Sequence, residues 1–108
     1  MEINTAVEAL EALAHQTRLE VFRLLVRAGR GGLAAGAIAE ETGVLQNTLS
    51  SHLGKLSRAG LVTSRREGRS VIYSADFGVL GTLVLYLVED CCLGDSRVCR
   101  PLAAAIRC

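Results

Sequence analysis

The chain has 108 residues, enough for one domain with a single hydrophobic core. Half of its residues are hydrophobic and the mean hydropathy is +0.34, which is high for a small soluble monomer. We therefore expect a second copy of the chain to cover part of the apolar surface, as a homodimer. Residues 1–4 lack a signal-peptide pattern and no run is long enough for a bilayer, so we expect a cytoplasmic protein that uses no membrane.

The net charge of only +1 does not by itself indicate nucleic-acid binding, but the charges are unevenly placed. The segment 43–75 has one acidic side chain, Glu67, against five basic ones: Lys55, Arg58, Arg65, Arg66 and Arg69. A local basic segment is a better indication of phosphate binding than the overall charge. An ordinary solvated face is the alternative explanation.

Apolar residues recur at helical spacing in several segments. The predicted helices are Thr5–His15, Thr17–Arg27, Ala35–Thr42, Gln46–Ala59 and Asp76–Asp90. Thr17 and Glu20 form a capping-box pair at the start of the second helix, and Asp76 can cap the last. In the fourth helix the predicted inward stripe consists of Leu45, Leu49, Leu53 and Leu56.

Two short β-prone runs, Leu61–Arg65 and Val71–Ser74, flank Glu67 and Gly68, which predicts a hairpin. The order of short helix, tight turn, polar helix and basic hairpin predicts a mainly α fold, a winged helix-turn-helix. We assign residues 1–90 to a DNA-binding and dimerisation domain and residues 91–108 to a cysteine-bearing tail.

The fourth helix carries the residue types that bond base edges in a major groove of double-stranded DNA. Its candidate DNA-binding residues are Gln46, Asn47, Thr48, Ser50, Ser51, His52 and Lys55; those of the hairpin are Arg65, Arg66 and Arg69. The hairpin arginines can bind phosphates and position the protein without reading sequence. A small helical domain with a solvated polar helix is the alternative, and His52 could instead pack beside the leucine stripe.

All four cysteines lie in the tail, and Cys91, Cys92 and Cys99 are the candidate metal ligands. Three thiolates balance the charge of trivalent arsenic or antimony, and soft sulfur selects such ions. Zinc prefers four ligands and is less expected, although Cys108 could supply a fourth and cadmium remains open. The alternatives are buried structural cysteines, a thiol-redox or persulfide sensor, and a structural zinc knuckle.

Five stretches, 12–18, 38–39, 49–53, 59–62 and 65–69, resemble the arsenic-responsive repressor family (ArsR/SmtB). The resemblance implies a dimeric repressor that pairs through its first and last helices and leaves a palindromic operator when an inducer binds. Members with a Cys-Cys pair and a later Cys after the last helix are associated with trivalent arsenic.

This chain departs from the family at three places. Leu45 stands where the family often has Ser, residues 33–38 hold no cysteine, and the last helix holds no histidine. The family's usual inducer sites are therefore absent, and we expect any switch to lie in the tail. A thiol-dependent enzyme is the opposing class, but no cysteine sits in an anion-binding loop that such an enzyme needs. A constitutive winged-helix protein with an incidental tail is the third class.

Overall fold

The structure, a computed structural model, describes residues 1–89 and Pro101. The elements are α1 (Ile3–Leu13), α2 (Gln16–Ala28), β1 (Leu33–Ala34), α3 (Ala35–Thr42), α4 (Gln46–Arg58), β2 (Val62–Glu67), β3 (Ser70–Ala75) and α5 (Phe77–Val88). The prediction of a mainly α fold with a wing is confirmed. None of the helices in the described part of the chain is long and apolar enough to cross a membrane.

The capping box predicted at Thr17 is wrong, because α2 begins one residue earlier. The N-cap is His15, whose extended backbone lets its Nδ1 accept a hydrogen bond from the Thr17 backbone N–H at 3.2 Å. Glu20 accepts from the side-chain amide of Gln16 instead of returning to the N-cap. Because His15 is extended and caps α2, it cannot belong to α1, which ends at Leu13 and not at His15 as predicted.

The core is built mainly from α2, α3 and α4. Its largest fully buried side chains are Val21, Leu25, Ile38, Leu49, Leu53, Leu56 and Leu61. Three of the four predicted inward leucines of α4 are therefore confirmed. The fourth, Leu45, is 74% exposed, because α4 begins at Gln46 and its N-cap lies beyond the packed region.

The three strands form an antiparallel sheet in the order β1-β3-β2. Leu33 pairs with Tyr73 and Val62 with Ala75, while Gly68 turns the hairpin at φ +63. Both hairpin strands are longer than predicted. The third strand, β1, was not predicted because two residues cannot show a periodicity.

Helix α5 packs against α1 and buries Leu83, while other apolar side chains of the two helices stay exposed. They are Ile3, Val7, Leu10, Leu85 and Leu87. The predicted Asp76 cap is confirmed, since its carboxylate accepts from the Val79 backbone N–H at 3.1 Å. The helix ends at Val88, and the predicted end at Asp90 lies outside the described residues.

Gly32 allows the loop after α2 to lie against β3. Its φ is +68, and an added Cβ would press on the Tyr73 carbonyl and lie 2.5 Å from the Ser74 hydroxyl oxygen. Gly32→Ala should therefore lower the free energy of unfolding by at least about 2 kcal/mol in urea denaturation. Gly31→Ala is the matched control, because its Cβ would meet nothing within 4 Å. Equal stability of the two variants would contradict this packing.

Candidate nucleic-acid interface

Helices α3 and α4 pack together and are joined by a tight turn in which Gly43 is left-handed, with φ +72. Burial of one stripe of α4 leaves its polar side chains on the opposite side. Six of them are predicted DNA-binding residues, and all six are exposed: Gln46, Asn47, Thr48, Ser50, Ser51 and Lys55. The structure therefore brings these candidates together on one helix that follows a helix-turn-helix turn.

The two ends of α4 differ in electrostatic surroundings. Lys55 and Arg58 line a cleft of about 420 Å³ together with Glu8 and Glu11 of α1. These carboxylates offset part of the positive charge at the carboxyl end of the helix. The uncharged segment 46–51 is consequently the part best suited to base edges. Arg58 was not among the predicted contacts, although a spacing of eleven residues places it on the side of Asn47.

His52 faces inward, toward α2, and is half-buried. The Arg18 guanidinium lies with its Nη1 3.4 Å from His52 Nδ1, and the rings of His15 and His52 are 4.7 Å apart. Arg18 itself is only 9% exposed and donates to the Ala12 carbonyl at 2.7 Å. Because an arginine can only donate, this contact requires a neutral His52 with its proton on Nε2. His52 thus ties the candidate reading helix to α2.

Burial, followed by the positive charges of His15, Arg18 and Lys55, lowers the pKa of His52 below its usual 6.5. A folded state that resists protonation loses stability where the unfolded state takes up the proton. The contribution of His52 is therefore complete above about pH 6.5 and is lost as the pH falls below that value.

We expect His52→Gln, which does not titrate, to flatten the pH dependence of the free energy of unfolding. Urea denaturation from about pH 7.5 to about pH 5.5 measures it, and the wild-type protein should lose more stability over that range than the variant. Above this range the two profiles should run parallel. Identical slopes throughout would show that burial and the neighbouring positive charges do not hold His52 neutral.

The three predicted hairpin arginines divide into two kinds. Arg65 donates to Glu67 at 2.6 Å and to the Gly31 carbonyl at 2.8 Å, and lies 3.4 Å from the Ser74 hydroxyl. Strand alternation places Arg66 on the opposite face, and Arg69 lies in the two-residue turn after Gly68; both are exposed. The pair at the tip therefore suits phosphate contacts, whereas Arg65 fastens the hairpin to the loop after α2.

Leu45 precedes α4, the candidate DNA-reading helix, without capping it. No side-chain hydrogen bond is made at this N-cap, and the backbone there is extended. A Ser or Thr at an N-cap typically stabilises a helix by about 1 kcal/mol, which Leu45 does not supply. The site thus combines an uncapped helix start with an exposed apolar side chain.

The predicted ligands Cys91, Cys92 and Cys99, like Cys108, lie outside the described residues. Among residues 1–89 and Pro101, no group of three or more histidine, cysteine, aspartate or glutamate side chains could hold a metal ion. The thiol site in the tail therefore stays a prediction from the sequence.

Comparison with known proteins places the segment 13–65 in a family described as helix-turn-helix domain. HlyU of Vibrio cholerae, a transcriptional activator, is 36% identical over 76 residues, 68% of each chain. A solved structure of HlyU superposes with a TM-score of 0.65, covering 84% of this chain and 99% of the solved HlyU chain. A Mycobacterium bovis homodimeric winged helix-turn-helix domain, "a possible ArsR-family transcriptional regulator", is 33% identical with a TM-score of 0.67, covering 80% and 78%.

A Streptomyces lividans protein named a probable mercury resistance operon repressor is 30% identical over 105 residues, 97% of this chain and 75% of its own length. A Mycobacterium tuberculosis regulator, Rv0081, is 37% identical over 67 residues, which make up 62% of this chain and only 57% of Rv0081. The likeness to these proteins covers the winged helix-turn-helix elements described above.

Proposed function

We propose that this chain, which belongs to the ArsR/SmtB family of winged-helix transcriptional regulators, is a homodimeric cytoplasmic repressor released from DNA by a thiophilic metalloid. The observation that carries DNA binding is the exposed polar segment 46–51 of α4. The Arg66 and Arg69 side chains of the hairpin tip supply phosphate contacts. The S. lividans relative, named a repressor, supports repression.

The exposed apolar residues of α1 and α5 support a dimer. Ile3 and Leu85 are 66% and 68% exposed, and the two helices already pack together within one chain. A second copy would remove these side chains from water. The homodimeric M. bovis domain supports the same arrangement. A two-fold dimer presents two reading helices to half-sites one turn apart, so a palindromic operator in double-stranded DNA is the partner.

The inducer proposal rests on the donor set Cys91, Cys92 and Cys99. Three thiolates suit trivalent arsenic or antimony, and zinc would need a fourth ligand such as Cys108. The mercury resistance named for the S. lividans relative supports a soft, thiol-seeking ion. Helix α5 ends at Val88, three positions before Cys91, and packs on α1. Binding that favours one arrangement of this helix pair would shift the dimer away from its DNA-binding form.

A thiol-redox or persulfide switch is the second candidate. HlyU has been solved in a form described as reduced, which supports redox chemistry in that relative. Two thiols of the tail, such as Cys92 and Cys99, would then form the oxidised state. The two functions differ in which reagent releases DNA.

Gel shifts with a duplex obtained by in vitro selection test the proposal. Arsenite should release the wild-type protein, and Cys99→Ser should bind the duplex normally but need at least about tenfold more arsenite. Cys108→Ser is the matched control and should respond like wild type, since Cys108 lies outside the three-thiol set.

The outcomes distinguish the three-thiol metalloid site from the redox switch, and both from a protein that does not bind DNA. Release of Cys99→Ser at the wild-type arsenite concentration would overturn the three-thiol site. Release by peroxide but not by arsenite would assign the redox switch. No salt-sensitive binding to any duplex would overturn DNA binding itself.

A further inference from the structure

Leu45 is an exposed apolar side chain placed within the candidate DNA surface. It is 74% exposed, more than any other large hydrophobic residue in the described part of the chain. The remaining strongly exposed ones lie mostly on α1 and α5, where the dimer explains them. Leu45 lies on neither helix, so the dimer does not account for it. Its neighbours along the chain are instead the polar residues Gln46 and Asn47.

The backbone holds Leu45 in a defined position. Its carbonyl accepts the first hydrogen bond of α4, from the Leu49 N–H at 2.8 Å, and Leu49 is buried in the core. On its other side the chain turns at Gly43, in the left-handed conformation. The side chain therefore projects from a fixed point at the amino end of α4, the end that reaches base edges in helix-turn-helix proteins.

We propose that Leu45 contacts the 5-methyl group of a thymine in the major groove and thereby sets one sequence position of each operator half-site. The thymine methyl is the apolar group that base pairs display in that groove, and a leucine can offer neither a hydrogen bond nor a cap. Gln46 and Asn47 beside it suit adenine edges, so we expect the contacted thymine to lie next to a second A·T pair. This inference rests on the proposed function and deepens it to sequence specificity.

Replacing thymine by deoxyuridine tests the contact, because it removes only the methyl group and leaves base pairing intact. Duplexes from in vitro selection with the wild-type protein would carry single replacements at each thymine of one half-site. Wild-type affinity should fall about fourfold at one position, the effect of one buried methyl group. Leu45→Ala should bind the unmodified duplex about fourfold more weakly and show no further loss at that position.

Leu19→Ala is the matched control, an exposed leucine on α2 that should keep wild-type sensitivity to deoxyuridine. Leu45→Ser supplies a second variant, since serine can cap α4 and should preserve folding while losing the thymine preference. The inference is overturned if wild-type protein binds every deoxyuridine duplex equally. It is also overturned if Leu45→Ala stays sensitive at the same position. Failure of wild-type protein to bind any duplex would instead refute the proposed function, and this inference with it.

Discussion

Burial of Leu49, Leu53 and Leu56 is the constraint on which the rest of the structure depends. These side chains fix the rotation of α4, because a helix that buries one stripe must turn the opposite stripe to solvent. Asn47 and Ser51 become surface residues for that reason, whatever the helix binds. Arg18 adds a polar tie, joining the Ala12 carbonyl to His52 of α4. The candidate reading helix is thus positioned by packing first and by one buried hydrogen-bonded arginine second.

The elements with strong local signals were predictable from the sequence. Helix α3 has the predicted bounds Ala35–Thr42, because the chain that follows it turns at Gly43 in a left-handed conformation. The outward face of α4 was predictable for the same reason, since the leucine spacing identifies the buried side. Features that depend on tertiary contacts were not. No local pattern shows that Arg65 reaches the Gly31 carbonyl thirty-four positions away, or that Arg18 contacts His52 of α4. The histidine cap of α2 is a local contact, but histidine is not among the usual N-cap residues.

Leu45 illustrates how a periodic pattern can mislead at the end of an element. The spacing of four residues to Leu49 predicts burial, but the helix begins one residue later and the core does not extend that far. The same residue breaks the usual capping preference at that position. Leu45 neither caps α4 nor packs in the core, so a role in binding explains it better than a role in folding.

The central claim about the hairpin is that Arg66 contacts DNA phosphates, whereas Arg65 is engaged by Glu67 and the Gly31 carbonyl within the protein. Salt dependence of DNA binding measures this directly, because each phosphate contact adds to the slope of log affinity against log salt. Arg66→Ala should reduce that slope by about one, whereas Arg65→Ala should leave it at the wild-type value. A reduced slope for Arg65→Ala with an unchanged slope for Arg66→Ala would contradict the account.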